Sequence, residues 1–453
     1  MLLDGLYLPL ATPFYPDGRV YLRKLEHNAA RYSLTPASGL IVLGPSSEAE
    51  GLTDAEAVDV MQAAAGATQP QKVLIAGITR DSVHATLLRA QQAAAAGFDA
   101  VLLGVPQSWA RLAGSTSTGS AGDPWQSPAL LTFFRAVADR SPLPVLLWSG
   151  NELPSPEIPV AVVAELARHP NIQGMLDAGL ASSASSRQPG QAAKTKPSVF
   201  LTELSSGASA QNGRDLLAPE SASHAVEARL QALLSATRGI ERMHEVTPTF
   251  QAVTARMHAA HAALQVQRVP TSMFVPASAL LGGAGAAISA DPVSAGRSKA
   301  ASMQGSVGSS VIMEEPMGGS TSAPVEVAGN AAGQPLKTRS RTTGFQIVAC
   351  GVVDVYAALR DGAHAVAPEL ATAVPQACHE VVAAWKDGDP ELAREKQQRI
   401  TTVQAVVAEL GVPGVKYASE LSGYYGGPPR LPLLPITAEQ RRELADLLHS
   451  LRS

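Results

Sequence analysis

Short runs rich in Val, Ile and Leu, each followed by a stretch of helical period, recur at 7–11, 39–43, 73–78, 100–104, 144–148 and 172–176, and no other feature restricts the fold as tightly. Apolar throughout and too short for helices, they read as strands buried on both faces. The stretches between them carry helical spacing: Val83, Leu87 and Ala90 follow the cap candidates Asp81 and Ser82, and Ala161, Val162 and Leu166 precede His169-Pro170. Strands that alternate with helices at this interval pair in parallel through right-handed crossovers.

After the sixth strand the composition changes. From 179 to 343 Ser, Ala, Gly, Gln and Thr dominate, and the segment lacks the aromatic and branched side chains that offset ordering entropy, so much of it is expected to be flexible. Two pieces differ. Val226, Leu230, Leu233 and Leu234 share one helical face, and Phe250, Val253, Met257, Ala260 and Leu264 share another. One is expected to supply the helix due after strand six, with the other packed beside it. A seventh strand is read at 344–351 and an eighth within 363–374, and three amphipathic stretches follow at 391–410, 416–423 and 437–451. The predicted fold is a (β/α)8 TIM barrel. Strands one to six fall in 1–178, a low-complexity insertion in 179–343, strands seven and eight in 344–388, and a C-terminal helical extension in 389–453.

The bulk numbers exclude several partners. A formal charge of -4 and a pI near 6.2 leave no basic field for nucleic acid or an anionic membrane. Two cysteines, Cys350 and Cys378, make no disulfide framework, and no Cys/His cluster has zinc spacing. His258 and His261 sit three apart, as a metal pair would, but no third ligand completes a site. No metal and no cofactor is expected. Residues 1–14 lack a basic n-region and reach Pro9 and Pro13 too early for an export signal, and no apolar run is long enough to span a membrane. A cytoplasmic protein with small-molecule or protein partners is the expectation.

Four patterns agree in order and spacing: GLYLPLATPFYPDGRV from Gly5, GLIVLGPSSEAEGLTDAE from Gly39, LARHPNIQGMLDAG from Leu166, and GVPGVKYASELSGYYGGPPRLPLLPITAEQ from Gly411. Together they resemble the dihydrodipicolinate synthase and N-acetylneuraminate lyase family, and the tail resembles its 4-hydroxy-2-oxoglutarate aldolase branch. The resemblance implies a barrel with a helical tail, an oligomer, and carbon-carbon bond chemistry through a Schiff base between pyruvate and a lysine. Such a site lies at the C-terminal ends of the strands.

Position by position, the machinery implied by that resemblance is missing. A Schiff-base aldolase needs an amine, because the iminium is the electron sink for the carbanion. In the pattern NI-x-G-x-K the amine ends strand six, and here the stretch reads Asn171-Ile172-Gln173-Gly174-Met175-Leu176-Asp177. Leu176 stands at the lysine position and has no lone pair to offer. The relay tyrosine of strand five falls on Trp148, and a second one, after strand four, on Trp109. An indole donates a hydrogen bond but does not shuttle a proton as a phenol does. The carboxylate-gripping loop G-T-T-G-E becomes Gly44-Pro45-Ser46-Ser47-Glu48, where proline deletes one amide donor and Ser47 replaces a flexible glycine. Ser46, Ser47 and Glu48 remain the candidate substrate-binding residues. Lys416 matches a tail lysine whose implied role is structural.

Loss of the amine, both phenols and the intact loop together favours a catalytically silent paralogue that serves as a regulatory or assembly module, in a homo-oligomer or in a hetero-oligomer with an active relative. The alternative is a lyase or hydratase on a small 2-oxo acid such as pyruvate. It would act by proton transfer, with Asp177 and Glu48 as its acid–base groups, or through a relocated amine at Lys194 or Lys196.

Overall fold

The computed structural model describes residues 1–106, 108–109, 126–150, 157–178, 220–249, 251–266 and 336–452. Lys194, Lys196 and Phe250 lie outside the described residues, as do the side chains of Val226 and Leu264. The chain divides into two units, Met1–Ala260 with Leu336–Ser453, and His261–Pro335. Of the second only the helical residues 261–266 are described, and the site lies wholly in the first.

Ten strands are present among the described residues: β1 (Gly5–Pro9), β2 (Gly39–Val42), β3 (Val73–Gly77), β4 (Ala100–Gly104), β5 (Val145–Ser149), β6 (Ile172–Asp177), β7 (Arg242–Val246), β8 (Arg339–Thr343), β9 (Gln346–Gly351) and β10 (Ala365–Pro368). Eight of them close a parallel barrel in the order β1-β10-β9-β6-β5-β4-β3-β2. The expected (β/α)8 architecture is the observed one, with β9 and β10 as barrel strands seven and eight. Alternation along each strand divides the core in two. Tyr7, Ile41, Ile75, Leu102, Leu146, Leu176, Val348 and Ala367 fill the barrel, and their neighbours in sequence, such as Leu8, Val42, Ala76, Leu103, Leu147 and Met175, face the helices.

The helices are α1 (Leu22–Ser33), α2 (Asp54–Ala67), α3 (Val83–Ala96), α4 (Gln126–Ala138), α5 (Val160–Leu166), α6 (Glu220–Ala236), α7 (Ala255–Val266), α8 (Val355–Arg360), α9 (Pro375–Lys386), α10 (Pro390–Leu421) and α11 (Ala438–Arg452). Local chemistry sets their starts. Thr53 and Glu56 form a capping box on α2, and Ser82 caps α3, as its sequence suggests. Two of the three stretches expected in the tail are one helix, α10, interrupted at Gly411 with φ 60°. No described helix is long and apolar enough to cross a membrane.

The two apolar pieces of the insertion met different ends. Helix α6 takes the place after strand six: it packs beside α5 and buries Leu230 and Leu233 in the core. Helix α7 forms, but the described residues of its expected apolar face are not buried: Val253 and Met257 are half-buried and Ala260 is exposed. Polar contacts hold its start instead. Thr254 donates to the Pro70 carbonyl, Asp99 accepts from the Ala255 amide at 2.7 Å, and Arg256 donates to the carbonyls of Ala65, Thr68 and Lys72. Between α6 and α7 lies β7, which pairs antiparallel with β8 in a ribbon that the sequence does not announce. Arg-Met-His-Glu-Val and Arg-Ser-Arg-Thr-Thr carry too little apolar alternation to be read as strands.

Candidate active site at the barrel mouth

Catalytic groups of a (β/α)8 barrel stand at the C-terminal ends of its strands. At the end of β6 Leu176 points inward and is 0% exposed. In register it lies between Trp148 of β5 and Val348 of β9. Trp148 is half-buried and packs on the same inner cluster, and its buried indole Nε1 has no hydrogen-bond partner among the described residues. An unpaired buried donor of this kind costs about 1–3 kcal/mol. Trp109 is not brought to Leu176. It packs in the outer shell against Phe133 of α4, with ring centroids 5.3 Å apart.

Cys350 is buried on the inner face, in the same cluster as Leu176. Burial pushes its thiol well above the ordinary range, and the charges of Asp177 and Glu369 push the same way. A thiol held neutral is a poor substitute nucleophile. Glu369, just after β10, is a carboxylate near the mouth that periodicity could not single out; its only signal is its place beyond a Pro-terminated strand.

The loop after β2 is held in unusual backbone geometry. Leu43, Ser46 and Glu48 have φ of 57°, 62° and 55°, left-handed values that cost a non-glycine residue about 1–3 kcal/mol each. Ser47, at the glycine position of the resembled motif, is not among them. Gly77 lets this loop approach, since a Cβ there would stand 1.8 Å from the Leu43 carbonyl oxygen. Ser47 Oγ donates to the Gly44 carbonyl at 2.5 Å and is fully engaged within the loop. Ser46 Oγ is buried and has no partner among the described residues.

Glu48 is committed elsewhere. Its carboxylate forms a buried ion pair with Lys416 of α10 and accepts from the Arg430 amide at 2.7 Å. Lys416 also donates to the Pro428 carbonyl at 3.1 Å and lies 4.4 Å from the centre of the Phe14 ring. Burial pushes its ammonium pKa down, and Glu48 pulls it back up. The Arg430 guanidinium grips Glu56 of α2 through two bonds of 2.9 Å. Beside it, Asn28 and Tyr425 exchange two hydrogen bonds. The GYYGGP-R tail is therefore a seam that ties the C-terminal extension to the β2 loop.

Asp177 faces away from the barrel and is 0% exposed. Arg229 of α6 pairs with it at 2.7 Å and also reaches Glu157, Ser149 Oγ and the Ile158 carbonyl. This anchor explains why α6 docks where it does. Both carboxylates considered for acid–base work are thus bound into structural networks. His258 faces Glu245 at 3.3 Å, and no cluster of three metal-ligating side chains occurs among the described residues.

Comparison with known proteins agrees with this fold. The model of the Dihydrodipicolinate synthetase family matches residues 2–183 and 333–451, well over half of the chain. A 4-hydroxy-tetrahydrodipicolinate synthase from Xanthomonas axonopodis pv. citri is 30% identical over 181 residues, 39% of this chain and 54% of that protein. A probable mitochondrial 4-hydroxy-2-oxoglutarate aldolase from Emericella nidulans is 32% identical over 186 residues, 38% of this chain and 54% of that protein. The chain thus spans about half the length of the curated relatives it matches. Among solved structures, the prophage protein YagE from E. coli K12, in complex with pyruvate, superposes with a TM-score of 0.58 at 16% identity, covering 100% of this chain and 99% of that one. At that identity the likeness speaks for the fold.

Proposed function

Because the chain belongs to the dihydrodipicolinate synthetase family, we propose that it is a member without Schiff-base chemistry, serving as a regulatory or assembly module. One observation carries this reading: the inner position at the end of β6 holds Leu176, a fully buried hydrocarbon. No imine can form on it, and the groups around it do not compensate. Trp148 has replaced a phenol, the Cys350 thiol is held neutral, and Lys416 is locked to Glu48. In this reading the protein is cytoplasmic and acts as a homo-oligomer or beside an active relative. The test is reductive trapping. Pyruvate with borohydride should leave every peptide unmodified by mass spectrometry. A reduced adduct on any lysine, Lys194 and Lys196 included, overturns the reading.

A second reading has its own support. Ser46 Oγ and Trp148 Nε1 are buried hydrogen-bonding groups without partners among the described residues, and a bound carboxylate would satisfy both. A 2-oxo acid such as pyruvate would then be held without a covalent bond, with Ser46 and the Ser47-Glu48 loop backbone as its cradle. A thermal-shift panel of 2-oxo acids separates the two, because a ligand that binds the folded state raises the melting temperature. A flat panel favours the silent module. Selective stabilisation that is lost in Ser46→Ala favours the noncovalent binder.

A further inference from the structure

At the opposite end of the barrel, where the strands begin, lies a cavity of about 500 Å³, within the size range of small-molecule sites. Its rim is polar and its floor is the start of β1, β2 and β3. Three cation-bearing or cation-capable side chains line it: Lys72, Lys386 and His379. The Lys72 ammonium donates to the carbonyls of Thr35 and Ala37, both at 2.7 Å, and has no carboxylate partner among the described residues. Burial accordingly pushes its pKa down; burial first, and then the charges of Lys386 and Lys72, push that of His379 down, with Glu380 pulling the other way. Lys386 pairs with Asp4 at 2.8 Å, the one carboxylate among the described residues that line the cavity. With the imidazole neutral, two ammonium groups face one carboxylate.

Neutral donors converge on the same space. Ser38 Oγ and the His379 ring make no hydrogen bond among the described residues, and both line the cavity. Gly5, with φ 84°, opens it: a Cβ there would meet Ser38 Oγ at 2.6 Å and Lys386 Nζ at 3.5 Å. Any side chain at this position would fill the point on which hydroxyl and ammonium converge. Thr249, Gln251 and Ala252 form the outer wall, and they fall outside the residues matched by the family model. The wall is therefore an addition of this chain rather than part of the shared barrel.

The geometry points to a binding site for the oxyanionic group of a small metabolite, a carboxylate or a phosphate, at the N-terminal face of the barrel between the β1–β3 starts and the inserted wall. An oxyanion would accept from Lys386, Lys72, Ser38 and His379, offsetting the excess of positive charge among the described residues that line the cavity. This site is independent of the mouth and of any reading of it.

The full chain is titrated with sodium phosphate and, separately, with sodium malate at constant ionic strength, by calorimetry and thermal shift. The expected result is saturable binding of one or both, and the preferred probe identifies the source of the oxyanion. Lys386→Met and His379→Gln change rim side chains that hold no part of the backbone, so both variants are expected to fold, and each should weaken binding by about tenfold or more. Arg19→Gln, in the exposed loop after β1 at the other end of the barrel, should bind as the parent does. Failure of both probes to bind overturns the proposal. So does binding that survives in Lys386→Met and His379→Gln, or that is lost in Arg19→Gln.

Discussion

The two ends of this barrel differ in what occupies them. At the mouth Leu176 is sealed, Trp148 lies beside it, and the loop that should grip a substrate is fastened to the C-terminal tail through Glu48 and Lys416. At the base, where such barrels usually spend their residues on stability, a polar cavity of about 500 Å³ stays open beneath an inserted wall. The strand scaffold does not decide which end works. That depends on side chains at strand ends and on segments added to loops, so the same closed sheet can carry a filled mouth and an open base.

The sharpest way to break the contrast is to cut the fastening at the mouth. Lys416 is 1% exposed and its carboxylate partner 4%, so Lys416→Met leaves Glu48 buried without its counter-charge. Removing one member of a buried pair costs about 3–5 kcal/mol. Denaturant titration should show that loss, and Lys416→Met with Glu48→Gln should recover more than half of it, because the glutamine carbonyl can still accept from the Arg430 amide. A single-variant cost under about 1 kcal/mol, the range of exposed pairs, would mean the loop is not fastened as described.

The next effect belongs to the base and its sign is set by burial. His244 of β7 is 1% exposed, and burial, reinforced by nearby positive charge, pushes its imidazole down to about 4. A base whose folded pKa lies below its unfolded value of about 6.5 resists protonation in the folded state only. Stability is therefore full above pH 6.5 and falls as pH drops through the window from 6.5 to 4, by up to about 3 kcal/mol. Thermal melts across that window should show the decline, and His244→Gln should be flatter over the same range, with hydrogen exchange rising first in β7 and β8. Equal pH profiles for the two proteins would detach the ribbon from this account.

What the sequence reveals follows the same division. The barrel was legible because doubly buried parallel strands must be nearly continuous in Val, Ile and Leu, and 39–43, 73–78 and 100–104 can be little else. Leu176 could be placed at the end of the sixth strand because its run is continuous and apolar, and the fold turns it inward there. The ribbon was not, since its strands are polar and their pairing joins distant parts of the chain. Likewise, Ser47 and Glu48 look like ligand contacts in one dimension, and only the fold reveals that Gly44 and Lys416 occupy them. Asp177 sits beside a key position in sequence, yet alternation turns it to the outer shell, where Arg229 takes it. The basal cavity gathers Gly5, Ser38, Lys72, Thr249 and His379 from across the chain, and no local pattern joins them.

The smallest effect is the most discriminating about the mouth. Trp148→Phe keeps an aromatic ring against Leu176 and removes the indole N–H that has no partner among the described residues. The truncation forfeits some packing, while removal of an unpaired buried donor returns about 1–3 kcal/mol, so the two nearly cancel and the melting temperature should barely move. The same variant reads out binding. If the mouth is only filled, 2-oxo acids leave parent and variant equally unaffected; if it holds a carboxylate through this N–H, stabilisation by ligand falls in the variant although the unliganded protein is unchanged. A large loss of unliganded stability would instead mean that Trp148 supports the barrel by packing alone, which would remove the reason to look for a ligand at that end.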